Sequence, residues 1–280
     1  MSQKDNPGNG TQGPGKHKGA LAGGLGVLGI GLLKFKGLGL IGLKMFSGLK
    51  FLYVFKSFIS MFLMIGIYTM AFGWMYAVIV VGLILIHEMG HYVFMKAMNL
   101  DPKLPIFLPF MGAYVQMSKL PPDQTTHAWV AIAGPLVGGV TSVGLFFLGV
   151  RLNFPAMMAA GSTGVFFNVL QLIPAKPFDG GFIVHAISKW FLVLGTGLAF
   201  MLGALLQSPL FLIIAVISIF TTYRAIKTKP APDGTILGEK PATLTEKYLI
   251  GTAYFTLLGV LGFIYWFSHN ELITIMAPKL

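Results

Sequence analysis

Residues 75–95 read MYAVIVVGLILIHEMGHYVFM, an apolar run whose strongly polar residues, His87, Glu88 and His91, come near its end. The run is long enough to cross a bilayer core as one helix, which takes about 20 residues. Two histidines four positions apart lie on the same face of a helix, so both imidazoles can ligate one metal ion. The glutamate beside the first histidine can accept a proton from a water on that metal. The stretch therefore predicts a metal site with an adjacent general base.

The composition places this helix in a membrane protein. Of the 280 residues, 55% are apolar, 10% are charged and none is cysteine, whereas about a quarter of a soluble domain is charged. A soluble globule, a disordered chain, a disulfide scaffold and a cysteine-ligated metal site are therefore excluded. An ionisable residue is costly inside an apolar helix and indicates function by default. The alternative is a buried polar network that joins two helices.

Further apolar runs predict an all-α polytopic membrane protein with about six to seven transmembrane helices. Besides 75–95, these runs are residues 58–72, 128–150, 157–173, 182–206, 209–223 and 248–267. The stretch 99–127, with five prolines and several charges, is predicted as a partly apolar loop.

The remaining segments complete the predicted domain organisation. We divide the chain into a disordered tail (1–19), an amphipathic or interfacial basic segment (20–57), a core (58–226), a cytoplasmic loop (227–247) and a C-terminal transmembrane helix (248–280). The alternative for the basic segment is a weak first span at 20–33. When the spans are threaded with the N-terminus inside, all basic residues except Arg151 and Lys279 fall on the inner face, as the positive-inside rule requires.

A catalytic zinc site needs a third protein ligand, and Asp179 is the candidate. Apart from Glu88, it is the only one of nine acids that lies against a predicted span. It belongs to the sequence PAKPFDGG (174–181), in which prolines break the span and glycines let backbones approach closely. In the threaded topology, His87, His91 and Asp179 reach the same side of the membrane, although only lysines and arginines were used to set the orientation.

At these residues the sequence resembles the site-2 proteases, which are intramembrane zinc metalloproteases, over roughly 78–184. Residues 110–117, FMGAYVQM, resemble the family's membrane-re-entrant β-hairpin after the HExxH helix, and 133–136, AGPL, resemble its Ala-Gly-Pro helix start. The resemblance implies that Zn²⁺ is held by His87, His91 and Asp179, with Glu88 as general base. It also implies that the hairpin binds substrate through Gly112, Ala113, Tyr114 and Val115.

Two departures from the family leave roles open. The family usually has asparagine eight residues before the ligand aspartate, where this chain has Gln171, with Asn168 one helical turn earlier. Either amide could hold a substrate carbonyl or oxyanion. His127 and His185 are weaker candidates as metal ligands. The chain is too short for an inserted PDZ or CBS domain, so the sequence predicts a minimal form.

The resemblance implies an intramembrane endopeptidase of the bacterial inner membrane, with a cytoplasmic N-terminus and a site near the cytoplasmic face. Its partners would be the lipid bilayer and membrane-embedded protein substrates, such as single-span anti-sigma factors or leftover signal peptides, and no nucleic acid. One alternative is a catalytically silent zinc-binding adaptor, against which the presence of Glu88 argues. Another is an ion transporter, which paired broken spans in two similar halves would favour; no internal repeat is found.

Overall fold

The computed structural model describes residues 54–109, 112–236 and 238–276, without the side chain of Met276. Residues from 56 onward form one compact unit. The predictions for the tail and the interfacial segment, with its alternative span, concern residues outside the described part up to residue 53. The described elements in chain order are α1 (Val54–Phe72), α2 (Trp74–Ala97), β1 (Ile106–Leu108), β2 (Gly112–Tyr114), α3 (Gln124–Leu152), α4 (Pro155–Gln171), α5 (Asp179–Ile187), α6 (Trp190–Leu205), α7 (Pro209–Lys227) and α8 (Leu244–Met276).

The predicted helical membrane fold is confirmed. Helices α1, α2, α3, α7 and α8 are each long and apolar enough to cross a membrane. Helices α4 and α6 are shorter, with 17 and 16 residues. Large apolar side chains such as Phe62, Val140 and Phe220 point outward and are exposed. Such a surface suits lipid rather than water.

Helix α3 lies at the centre of the fold and contacts α2, α4, α5 and α8. Small residues bring its backbone close to that of its neighbours. A Cβ added to Gly161 of α4 would lie 2.6 Å from the backbone nitrogen of Phe146 of α3, and one added to Gly149 would lie 2.7 Å from that of Met158. Glycine at a helix interface permits this approach. The α3–α4 pair is therefore the tightly packed frame on which the site is built.

A β-hairpin joins α2 to α3, as predicted, but it begins earlier than residue 110. Strands β1 and β2 are antiparallel, with Ile106 opposite Tyr114 and Leu108 opposite Gly112. Phe110 and Met111 lie outside the described residues. The predicted loop at 99–127 also ends earlier than expected, because α3 starts at Gln124. Its start is capped by Asp123, whose side chain accepts a hydrogen bond from the backbone of Thr126 at 2.6 Å.

The predicted span at 182–206 is wrong, because this run forms two helices. The backbone is extended at Ser188, with φ −161° and ψ 132°, so α5 stops there. Lys189 lies between the helices, and its ammonium donates to the carbonyl oxygen of Ile226 at 3.4 Å. The break thus gives Lys189 a polar partner at the end of α7. Helix α5 is therefore a separate element of nine residues that begins at Asp179.

The connection between α7 and α8 is tied to the start of α3. The backbone nitrogen of Lys240 donates to the carbonyl oxygen of Pro122 at 3.1 Å, and its carbonyl oxygen accepts from Gln124 at 2.9 Å. Beside this pairing, His127 Nδ1 lies 2.8 Å from the buried carboxylate of Glu239. These contacts hold Glu239 and Lys240 against the end of the fold where α3 begins.

Candidate metal centre

Helix α2 carries His87, Glu88 and His91 on its buried side, as the spacing predicts. Their exposed fractions are 6%, 3% and 7%. The Nε2 atoms of the two histidines are 3.1 Å apart, because residues four positions apart lie one turn above each other. The two imidazoles therefore point to a common position beside the helix.

Hydrogen bonds determine which nitrogen of each ring carries the proton. His91 Nδ1 lies 2.8 Å from the carbonyl oxygen of Val130 on α3. A carbonyl oxygen only accepts, so Nδ1 carries the hydrogen and Nε2 keeps its lone pair. His87 Nδ1 lies 2.9 Å from Asn168 Oδ1 on α4, with the same consequence. Both Nε2 atoms are therefore free to bind a cation.

Asp179, the first residue of α5, completes the group. Its Oδ2 lies 3.2 Å from Nε2 of His87 and 3.3 Å from Nε2 of His91. The next residue, Gly180, permits this placement: a Cβ there would lie 2.2 Å from the carbonyl oxygen of Leu172, just beyond the end of α4. The prediction that glycine lets this segment pass close to a neighbour thus agrees with the structure. Within the part of the chain that is described, these three side chains form the one group arranged to hold a metal ion.

The donor atoms fit a tetrahedral metal ion. Three lone-pair atoms, His87 Nε2, His91 Nε2 and Asp179 Oδ2, face one another with edges of 3.1–3.3 Å. Ligands about 2.0–2.1 Å from a tetrahedral zinc ion would lie roughly 3.3 Å apart. Asp179 Oδ2 is buried and finds no hydrogen-bond donor among the described residues. Since lone pairs repel at these distances, the arrangement suits a cation held between them, and two nitrogens with one carboxylate oxygen match zinc.

Glu88 and the hairpin meet beside this group. The backbone N–H of Val115, the residue after β2, faces the Glu88 carboxylate. The strand that contains Gly112, Ala113 and Tyr114 therefore ends next to the predicted base. The sequence placed these residues near the site through the family resemblance, and the contact with Glu88 supplies the physical link.

Asn168 and Gln171, the two candidates for an amide contact with substrate, occupy different positions. Asn168 is buried behind His87, and its Nδ2 donates to the carbonyl oxygen of Gly164 at 2.7 Å. Gln171 is the last residue of α4 and is partly exposed. Its side chain makes no hydrogen bond within the described residues. The two side chains are therefore not interchangeable in this fold.

His127 and His185 lie outside the metal-binding group. His127 pairs with Glu239, and its ring stacks on Phe182 with centroids 4.8 Å apart. His185 Nδ1 is buried without a hydrogen-bond partner among the described residues.

The Lys176 ammonium lies 4.7 Å from the centre of the Phe182 ring. Burial lowers the pKa of Lys176, and the Glu239 carboxylate partly opposes this effect.

Two glycines of α3 shape the site, and their role could not be found from the sequence. A Cβ added to Gly134 would lie 2.2 Å from His91 Nε2, and one added to Gly138 would lie 2.7 Å from Asn168 Oδ1. A third glycine, Gly90 of α2, packs against the backbone at Ala133. The AGPL motif marks this region, but its contact with a candidate ligand appears only once α2 and α3 are packed together.

Fold and site together define a helical membrane protein with a candidate metal centre of the HExxH type. The comparisons with known proteins agree with this class: residues 75–160 match the family model described as Peptidase family M50. This match confirms the family resemblance predicted from the sequence. The matched segment contains His87, Glu88 and His91 and ends before Asp179.

Two relatives align with a similar share of the chain. The probable zinc metalloprotease EGY1 of Arabidopsis thaliana, a chloroplastic protein, is 29% identical over 115 residues, which are 39% of this chain and 20% of the relative. A zinc metalloprotease of Methanocaldococcus jannaschii is 29% identical over 109 residues, which are 37% of this chain and 31% of the relative. This chain thus spans about a third or less of each relative. The predicted enzyme class and metal agree with the names of both proteins.

A solved structure shows a weaker likeness. The site-2 protease from Methanocaldococcus jannaschii aligns with 61% of this chain and 87% of its own length, at 22% identity and a TM-score of 0.38.

Proposed function

We propose that this chain is an intramembrane zinc endopeptidase that hydrolyses peptide bonds within or near transmembrane segments of other membrane proteins. The observation that carries the proposal is the convergence of three lone-pair atoms, from His87, His91 and Asp179, beside Glu88. The match to a peptidase family and the two relatives named as zinc metalloproteases support the reaction class. The apolar helices that contain the site support substrates that lie in the membrane.

In this mechanism each side chain has one task. His87, His91 and Asp179 hold Zn²⁺, which when bound supplies a Lewis acid and lowers the pKa of a coordinated water. Glu88 accepts the proton of the attacking water and later gives it to the leaving amine. The backbone N–H of Val115 faces the carboxylate of this base. The burial of the site excludes bulk water, so polar interactions inside it are strong.

Among the described residues no further strand pairs with the outer edge of β2, and this edge supports a way of holding an unwound substrate. Phe107 of β1 donates its N–H to Ser60 Oγ at 3.1 Å, so this N–H points away from β2. Phe107 lies opposite Ala113, and in an antiparallel pair both residues of such a position turn their hydrogen-bonding groups outward. The N–H and C=O groups of Ala113 therefore face away from β1, on the strand that ends beside Glu88. A substrate segment can add to this edge as a third strand.

Ala113→Pro is expected to lower kcat/KM for a transmembrane substrate by about two- to tenfold. Proline removes the outward N–H, one hydrogen bond worth about 0.5–1.5 kcal/mol. The β1–β2 pairing should survive, because this N–H is not used in it. The measurement is steady-state cleavage of a single-span substrate by purified protein in detergent, with the zinc content determined in parallel.

Ala113→Ser is the matched control, since it keeps the N–H and should leave kcat/KM within about twofold of wild type. A proline variant with normal zinc content and unchanged kcat/KM would show that substrate does not bond to this edge.

The metal assignment is tested by Asp179→Ala. Wild-type protein is expected to bind one zinc ion per chain and to cleave a single-span substrate. The variant is expected to lose measurable cleavage and to bind zinc far more weakly, because one of three ligands is gone. Asp233→Ala, which changes an exposed acid of the α7–α8 loop, should match wild type in both measurements. Full zinc binding and cleavage by the Asp179 variant contradict the proposed site.

The same measurements separate the alternatives. A silent zinc-binding adaptor would bind zinc in the wild type but cleave no substrate. A transporter would carry ions across proteoliposomes at a rate that depends on His87 and Asp179, again without cleavage. We place the protein in the bacterial inner membrane, as the family resemblance suggests, with a cytoplasmic N-terminus and its site near the inner face. The distribution of lysine and arginine favours this orientation. Protease accessibility of tagged loops in spheroplasts tests that orientation.

A further inference from the structure

We infer that Asn168 is a positioning residue that sets the tautomer and orientation of His87 for metal binding. The inference rests on the proposed function, since it concerns the same metal site. It assigns Asn168 a role different from the substrate contact that its place near the PAKPFDGG motif suggests. Three features of the structure support this role: the hydrogen bonds of the amide, its enclosure, and the different way in which His91 is held.

The hydrogen bonds determine the direction of the amide. Asn168 Nδ2 lies 2.7 Å from the carbonyl oxygen of Gly164, one turn earlier on α4. Because a carbonyl oxygen only accepts, the NH₂ group must face Gly164, and Oδ1 must face His87. Oδ1 lies 2.9 Å from His87 Nδ1. Since Oδ1 also only accepts, His87 Nδ1 carries the hydrogen and Nε2 presents its lone pair to the metal position.

The surrounding packing keeps the amide in this position. Asn168 is 3% exposed. On α3, a Cβ at Gly138 would lie 2.7 Å from Asn168 Oδ1 and 2.9 Å from His87 Cβ. Helix α3 therefore closes over the contact between the two side chains. Both the oxygen and the nitrogen of the amide are engaged within the protein, and the backbone at Gly138 lies against both atoms. The remaining N–H hydrogen is therefore enclosed, and the position does not favour contact with a substrate carbonyl. Gln171, partly exposed at the end of α4, remains available for that role.

The two histidine ligands are thus oriented by different means. His91 donates to a backbone carbonyl, that of Val130, which no side-chain substitution removes. His87 depends on a side chain of another helix. Such outer partners of ligating histidines fix the ring and raise its basicity, and their loss typically costs about 10–100-fold in metal affinity. Asn168 is therefore the position at which a substitution outside the ligand set should weaken zinc binding.

The test compares zinc affinities of purified proteins in detergent, by competition with a chromophoric zinc chelator. Asn168→Leu removes the acceptor at similar volume and is expected to weaken zinc binding by about 10–100-fold. Asn168→Asp keeps an oxygen toward His87 and is expected to remain within about threefold of wild type. Ser162→Ala is the matched control, because Ser162 also lies on α4 and is also 3% exposed. Its hydroxyl group pairs with that of Ser268 on α8, at 2.9 Å, and not with a candidate ligand. The control should bind zinc like wild type.

Thermal unfolding of the metal-free proteins shows whether each variant folds. Asn168→Ala replaces the leucine variant if the latter does not fold, with the same expected loss. The inference is overturned if Asn168→Leu binds zinc as wild type does while KM for substrate rises, the result expected for a substrate contact. It is also overturned if Asn168→Asp loses as much affinity as Asn168→Leu. In both cases a wild type that binds zinc and cleaves leaves the proposed function intact, whereas a wild type without zinc overturns both.

Discussion

Glu88→Gln is expected to bind zinc as the wild type does and to cleave about 10²–10⁴-fold more slowly, the usual contribution of a general acid–base residue. Glutamine has nearly the shape of glutamate, and at 3% exposure the site can hold it without new contacts. Its amide cannot accept a proton from water at neutral pH, so the loss concerns the proton transfer alone. Single-turnover cleavage of a single-span substrate, with zinc measured in the same sample, checks this result.

The exposed glutamate of α8 provides a control for this experiment. Glu271→Gln makes the same chemical change far from the candidate ligands in sequence and should leave both rate and zinc content unchanged. If Glu88→Gln cleaves at the wild-type rate, another group accepts the proton and the assignment of Glu88 as base is wrong. If the variant loses zinc together with activity, Glu88 supports the metal site instead.

Gly134→Ala is expected to weaken zinc binding on the order of 100-fold or more, as a greater disturbance than the loss of a hydrogen-bonding partner of a ligand. The added Cβ would lie 2.2 Å from His91 Nε2. The imidazole must then leave its bond to Val130, because the helix backbone cannot move without disturbing the α2–α3 contact at Gly90. Overpacking of this kind also costs about 1–3 kcal/mol of stability. Zinc titration and thermal unfolding measure the two effects separately.

Gly144 of the same helix offers the matched comparison. A Cβ there meets no atom within 4 Å, so Gly144→Ala should retain wild-type zinc affinity and cleavage. Wild-type zinc affinity in Gly134→Ala would mean that the ligands tolerate a displaced His91, which contradicts the proposed ligand set.

The helices could be predicted from the sequence because lipid-facing and buried residues are both apolar. Residues 128–150 are recognisable as a helix for this reason, with only the ends displaced. Because these runs are apolar throughout, a break between two helices inside one run is hard to recognise. The run at 182–206 is apolar on both sides of Lys189, and only its packing against the end of α7 shows that the chain must stop and restart there. The hairpin was predicted too late in the chain because β1, unlike β2, is outside the motif that marked it.

The candidate site likewise contains residues that the sequence predicts and contacts that it does not. His87, His91 and Glu88 could be predicted because their geometry is local, fixed by one helix. Asp179 could be predicted because acids are so rare in this chain. The histidine contacts of Val130 and Asn168 could not, since each residue comes from a different helix. The sequence makes Asn168 a candidate for a substrate contact, and its hydrogen bond to His87 is seen only in the structure.

The spread of the site along the chain has a consequence for biosynthesis. The histidines emerge from the ribosome first, then the carbonyl of Val130, then Asn168, and Asp179 last of all. Until α5 has been made, the nascent chain exposes two imidazoles without their carboxylate. With the proposed ligand set, the metal site is complete only late in membrane insertion. A ribosome-bound chain that ends before Asp179 should therefore be inert toward substrate even though its HExxH helix is complete.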